Sequence, residues 1–262
     1  MPPHQLRRRF LQSAVGGVAV FALGGTRLAN ASASLPALSD VLSGAPGAIT
    51  IANYSLYVAD RAKVDASRAE HQAYADSMRE HDRLVVGGPL LDEGGRPRGV
   101  LLVYAVASRQ QAETLAQQDP FTLHGAIAES RLDEWRVHGS DAELLAESLV
   151  PEARRVPSEA LQAPAERTYV GYAKYSPDAV RLARAKTAHE SHLRGLRASG
   201  ELLMSGSFAD GSGELSVYRA SSGERAKALV LEDPFHETGA FETHELSQWR
   251  LFGLNARLIQ GR

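Results

Sequence analysis

Over residues 65–81, His71, Tyr74, Ala75 and Met78 recur at the spacing that places them on one face of a helix, and over 178–198 Leu182, Ala185, His189, Leu193 and Leu196 do the same. Ahead of each stretch stands a run of β-branched and aromatic residues with polar interruptions, at 49–59 and 169–174, which reads as a strand. Behind each come two apolar runs separated by a Gly-containing turn, 84–90 with 100–107 and 202–208 with 215–220, which read as hairpins. Ser108 in the first half, and Ser221 or Ser222 in the second, offer N-caps for shorter helices over 110–117 and 224–231. A last strand in each half carries Trp135 or Trp249. The order β-α-β-β-α-β is therefore written twice.

The recurrence extends to single residues. Asp119-Pro120-Phe121, Gly125-Ala126 and Trp135-Arg136 return 114 positions later as Asp233-Pro234-Phe235, Gly239-Ala240 and Trp249-Arg250. Upstream the offset is 118: His71 matches His189, Leu84 matches Leu202, and Gly88 matches Gly206. The difference falls in the hairpin, where ten residues separate Gly88 from Gly99 but six separate Gly206 from Gly213. A hairpin tip absorbs such a change cheaply, because loop closure depends weakly on length. Two helices on one face of a four-stranded antiparallel sheet make a ferredoxin-like α+β unit with one bare face. Two such units on one chain are expected to bury their bare faces against each other as an intrachain dimeric α+β barrel, a pseudo-dimer enclosing a pocket.

Residues 1–33 hold Arg7-Arg8-Arg9-Phe10-Leu11, an apolar run over 14–25 and the small residues Ala29-Asn30-Ala31-Ser32-Ala33, and read as a signal peptide. The segment resembles a twin-arginine export signal, with Leu6 and Gln12 departing from its edges; an ordinary secretory signal or a short anchor is the other reading. The resemblance implies a periplasmic or secreted protein, folded before it crosses and without a stable membrane anchor after cleavage. The remainder divides into a linker at 34–49, a first domain at 50–139, a linker with a short helix at 140–166, a second domain at 167–254 and a tail at 255–262. In the second linker Pro151, Pro157 and Pro164 interrupt any regular element beyond the helix expected over 141–147. Domains of about 90 residues have small cores, so the two are expected to pack together.

The whole chain carries a formal charge of −2; without residues 1–33, 25 basic residues face 31 acidic ones, a charge of −6. Such a balance argues against nucleic acid as a partner. Cysteine is absent, which excludes disulfides and thiol chemistry. No dinucleotide or phosphate loop is present, and neither a cofactor nor a metal is expected. His189-Glu190-Ser191-His192 puts two histidines on one helix face, but it lacks the spacing of a zinc-protease helix, and Tyr74 stands where His192 would fall in the first half.

His71 lies seventeen residues before the glycine of Gly88-Pro89, and Asp119-Pro120-Phe121 follows the second helix; His189, Gly206 and Asp233-Pro234-Phe235 repeat the scheme. On these residues each half resembles a YciI-like (YCII-related) domain. Ser207 replaces the proline in the second half, which predicts a less rigid loop there. The resemblance implies the dimeric α+β barrel with a histidine and aspartate pair in a pocket, and at least one member of the family looks like a dehydrochlorinase of chlorinated, hydroxylated aromatics. The catalytic candidates are His71 with Asp119 and His189 with Asp233. Each histidine reads either as a general acid or base or as a satisfied core residue. Each aspartate reads as an N-cap ahead of a first-turn proline or as the histidine's partner, roles compatible if the carboxylate serves both. Tyr104 and Tyr218 read as core or cross-strand residues, and Trp135 and Trp249 as core or inter-domain packing, with Arg136 and Arg250 on the opposite strand face. The expected function is small-molecule binding in the pocket, with proton transfer of lyase or isomerase type; the alternative is a non-catalytic ligand-binding or accessory module of the same fold. Oligomerisation beyond the pseudo-dimer is left open.

Overall fold

The computed structural model describes residues 49–148 and 167–255. The signal segment, nearly all of the first linker, the three prolines of the second and most of the tail lie outside the described residues. The elements are β1 (Ile49–Tyr57), α1 (Arg61–Glu80), β2 (Leu84–Leu91), β3 (Pro97–Val106), α2 (Arg109–Gln118), the single turn α3 (Pro120–Leu123) and β4 (Ile127–Ser140). After α4 (Ala142–Glu147) the order returns as β5 (Arg167–Tyr175), α5 (Ala179–Ala198), β6 (Leu202–Phe208), β7 (Gly213–Ala220), α6 (Gly223–Leu231), α7 (Pro234–Glu237) and β8 (Phe241–Trp249).

The helices start where side chains cap them. The Asp60 carboxylate accepts from Ala62 N–H, and that of Asp178 from Val180 and Arg181 N–H. This sets the start of α1 four residues earlier than apolar periodicity suggests, because residues 61–63 carry no hydrophobic signal. Ser108 and Ser222 cap α2 and α6 by accepting from Gln111 and Arg225 N–H. Each cap is worth about 1 kcal/mol.

The eight strands close into an antiparallel barrel in the order β1-β3-β2-β8-β5-β7-β6-β4. Two seams join the halves: β2 meets β8, pairing Leu90 with Trp249, and β4 meets β6, pairing Trp135 with Phe208. At each seam an indole crosses over, Trp135 Nε1 donating to the Gly206 carbonyl at 3.0 Å and Trp249 Nε1 to the Gly88 carbonyl at 3.1 Å. A Cβ on Gly88 would overlap the Arg250 carbonyl, and one on Gly206 the Arg136 carbonyl. The repeated glycine thus marks the close approach of the two halves. Ser207, expected in a loop, lies instead inside β6 opposite Arg136, with its Oγ 2.8 Å from His138 Nε2.

The barrel interior is filled. Ala52, Val86, Leu101, Val103 and Trp135 from the first half interlock with Val170, Leu203, Leu215, Val217 and Trp249 from the second. Residues at matched positions meet across the halves: Tyr54 and Tyr172 lie 5.2 Å apart between ring centroids in this cluster, and at its partly exposed margin Arg131 donates to Glu245 at 2.8 Å. Duplication on one chain lets such positions diverge into complementary charges, which identical subunits cannot do. The interior side chains form one continuous cluster between the two sheets. The cavity described below lies outside the barrel, beneath α1.

The outer faces differ. In the first half one continuous cluster, including Ile51, Val64, Met78, Val100, Leu102, Tyr104 and Phe121, joins α1 to the sheet. The equivalent core of the second half is split in two, one part around Leu196, Leu202 and Leu229, the other around Ala185, Phe235 and Ala240. Strand β7 carries Glu214 and Ser216, both buried, where β3 carries Val100 and Leu102.

Candidate active site

His71 and His189 stand on the barrel-facing sides of α1 and α5, only 8% and 5% exposed. Each reaches the aspartate that opens the next short helical turn. His71 Nδ1 lies 2.8 Å from Asp119 Oδ1 and 3.0 Å from Oδ2; His189 Nδ1 lies 2.8 Å and 2.9 Å from the corresponding oxygens of Asp233. The same carboxylates cap their turns, Oδ1 accepting from Phe121 N–H at 2.9 Å and Phe235 N–H at 2.8 Å. Both proposed roles of the aspartates thus coexist. Asp-Pro-Phe does this because Asp caps, Pro begins the turn, and Phe supplies a ring that stacks on the imidazole, at 4.1 Å for Phe121 and 3.9 Å for Phe235. A carboxylate only accepts, so Nδ1 carries a proton and the chemistry of each ring is decided at Nε2.

At Nε2 the two sites part. His189 Nε2 lies 3.2 Å from Glu214 Oε2, which also accepts the Tyr175 hydroxyl at 2.9 Å. Burial disfavours the charged ring, but hydrogen bonds to Asp233 and Glu214 outweigh it and raise the His189 pKa to about 9. Near neutral pH this imidazole is a cation held between two carboxylates. Burial, and then the Glu214 charge, push the Tyr175 phenol above its usual range, so it remains a donor.

In the first half Val100 takes the place of Glu214, as the strand registers show: Val100 pairs with Ser55, and Glu214 with Ala173. Tyr57 takes the place of Tyr175, opposite Ile127 as Tyr175 is opposite Phe241. Among the described residues neither His71 Nε2 nor the Tyr57 hydroxyl has a hydrogen-bond partner. Both residues line a cavity of about 630 Å³. Its floor includes Val100, Leu102 and Phe121, and one side is formed by Gln72, Ala75 and Asp76 of α1. The tip of the longer hairpin, Gly94 to Pro97, makes a second wall, and Arg250 and Phe252, which follow β8, close a third. The four residues by which the hairpins differ therefore build part of the site.

Tyr104 and Tyr218 are core residues, 0% and 2% exposed, and Asn53 Nδ2 donates to the Tyr104 hydroxyl at 2.9 Å. His192 Nε2 is 3.3 Å from the Leu229 carbonyl, and among the described residues no cluster of three His, Asp or Glu side chains is arranged to hold a metal ion. Sequence reasoning singled out both histidine–aspartate pairs but missed Glu214, Tyr57 and Tyr175. The tyrosines carried a signal, since they match at the 118 offset. Glu214, one residue into a strand after Gly213, reads as a solvated hairpin end.

The family model for the YCII-related domain matches residues 49–136 and again 168–250, and the chain belongs to that family. No curated protein matches it. Among solved structures, it is similar to 5-chloro-2-hydroxyhydroquinone dehydrochlorinase from Burkholderia phenoliruptrix AC1100, in complex with 2,5-dihydroxybenzoquinone: 24% identity, 35% of this chain and 96% of that one, TM-score 0.31. It is also similar to chlorite dismutase from Candidatus Nitrospira defluvii in complex with imidazole, at 11% identity over 85% of this chain and 98% of that one, TM-score 0.48. A heme-binding protein from Thermus thermophilus matches at 14% identity over 78% and 91% of the two chains, TM-score 0.45. None of these likenesses bears on the chemistry of the site.

Proposed function

We propose that the first half of the barrel holds the working site: its cavity binds a small organic molecule, and His71, oriented by Asp119, moves a proton to or from it. One observation supports this above all: a buried imidazole fixed at Nδ1 by a carboxylate presents an unpartnered Nε2 to an open cavity. In the neutral ring that nitrogen is a base, and the aspartate stabilises the cation formed when it takes a proton. The reaction class is proton abstraction or return beside a carbonyl or an acidic hydroxyl, as in a lyase or isomerase.

A second reading, a binding module without turnover, is favoured by one feature. The same dyad persists in the second half, where Glu214 meets the other ring nitrogen, so the pair also serves there with neither nitrogen left free for a ligand. Deuterium exchange separates the two. Small carbonyl compounds that raise the melting temperature are incubated with the protein in D2O, and loss of their exchangeable C–H signals is followed by NMR. Proton transfer predicts exchange that falls by about 10²–10⁴-fold in His71→Gln and persists in His189→Gln. Binding without exchange in the wild type favours the module.

We also propose, from residues 1–33 alone, that the protein is exported by the twin-arginine route to the periplasm or beyond. Replacing Arg7 and Arg8 by lysine should leave it in the cytoplasm; unchanged export would refute this reading.

A further inference from the structure

The second half contains its own picture of a bound acid. Glu214 Oε2 sits between His189 Nε2 at 3.2 Å and the Tyr175 hydroxyl at 2.9 Å, 6% exposed, with the His189 ring stacked on Phe235 and its Nδ1 on Asp233. Every group that makes this seat recurs in the first half: His71, Tyr57, Phe121 and Asp119. The carboxylate alone is missing. In its place Val100, which carries no polar group, lines the cavity that His71 and Tyr57 also line. Four arginines line the cavity: Arg68, Arg79 and Arg96 are each paired with an aspartate, Asp65, Asp76 and Asp92, and among the described residues Arg250 alone has no such pair. The Arg250 charge at the rim favours an anion over a neutral ligand.

We infer that the ligand of the first-half cavity is a small carboxylic acid, with one carboxylate oxygen seated between His71 Nε2 and the Tyr57 hydroxyl where the second half places Glu214. This deepens the proposed function by naming the ligand class, and rests on that reading for the location of the site. The proton His71 moves is then the acid's own: neutral Nε2 takes it from the acid hydroxyl as the ligand seats, giving carboxylate and imidazolium, and returns it on release. Charge-assisted hydrogen bonds of this kind discriminate strongly against neutral isosteres.

The test uses benzoate and its neutral isostere benzamide, titrated by calorimetry into the full chain. Benzoate should bind at least about tenfold more tightly than benzamide, a preference of the size such bonds supply. Val100→Glu, which installs the internal carboxylate, should abolish benzoate binding, and Tyr57→Phe, which keeps the ring, should weaken it by about fivefold. In the second half, Glu214→Ala should lower the melting temperature, and acetate should restore it more than chloride at equal ionic strength, which checks the seat where Val100→Glu fails to fold. No preference for benzoate over benzamide, including no binding of either, overturns the inference, as does undiminished benzoate binding in folded Val100→Glu. Failure of the underlying reading looks different. Carboxylate preference without deuterium exchange keeps the seat and removes the chemistry, whereas exchange without that preference keeps the chemistry and removes the seat.

Discussion

At one position of the strand beneath the long helix the first half carries Val100, and the second half carries Glu214. Around them the two halves have the same histidine, aspartate, phenylalanine and tyrosine. With valine, the imidazole edge opens into a cavity and the apolar core is continuous; with glutamate, the edge is capped, the ring is charged and the core is split. A histidine–aspartate pair is thus not itself a site. What the second imidazole nitrogen meets decides whether the pair serves architecture or chemistry, and a duplicated chain can assign one copy to each.

The comparison can be broken at several points. The largest expected effect is in the aspartates. Asp233→Ala removes a cap and one of two carboxylates holding a buried cation, and should cost about 3–5 kcal/mol in urea unfolding. Asp119→Ala removes a cap and one hydrogen bond, and should cost about 2 kcal/mol. Equal losses would mean that the second half holds no special charge.

The next effect is on pH dependence. Because the folded pKa of His189 is raised, to about 9, its contribution is complete below the usual histidine value near 6.5 and disappears as the pH rises through 9. Stability should therefore fall by about 3 kcal/mol across that window, and the part due to this group should vanish in His189→Gln. A wild-type profile unchanged by the substitution would contradict the charged ring.

The seams test what the halves share. Gly88→Ala and Gly206→Ala each push a methyl into a backbone carbonyl of the other half and should each cost about 1–3 kcal/mol, to similar extents. The smallest change in stability, under about 1 kcal/mol, is expected on replacing residues 92–97 by the shorter Asp210-Gly211 tip, which leaves the seam residues Leu90 and Leu91 in place. That exchange removes the hairpin wall, so it should abolish benzoate binding while leaving the fold intact; retained binding would show that the wall is dispensable.

Much of this was legible in the chain because repetition doubled each weak signal. A lone Asp-Pro-Phe or a lone buried histidine means little, but the same residues at matching offsets set the element order, the pairing of halves and both dyads. Three features were not legible. Helix α1 begins at a polar stretch that only the Asp60 cap reveals. The described cavity lies beneath a helix, beside the first-half core and not among the interior side chains that join the sheets, a place that periodicity does not mark. Glu214 escaped notice because matching looks for what two copies share, and the functional difference lies where they disagree. The shortened hairpin carries the same lesson: an indel that costs little in folding removes a wall of the site.

The central claim is that a carboxylate of the chain itself occupies in one half the seat that is open in the other. It is tested most directly by NMR of histidine side chains labelled with nitrogen-15. The account predicts that His189 shows two protonated ring nitrogens at about pH 8 and ignores added benzoate, while His71 Nε2 shifts on its addition. If both rings respond alike, or if His189 shifts and His71 does not, the two halves do not differ in the way described.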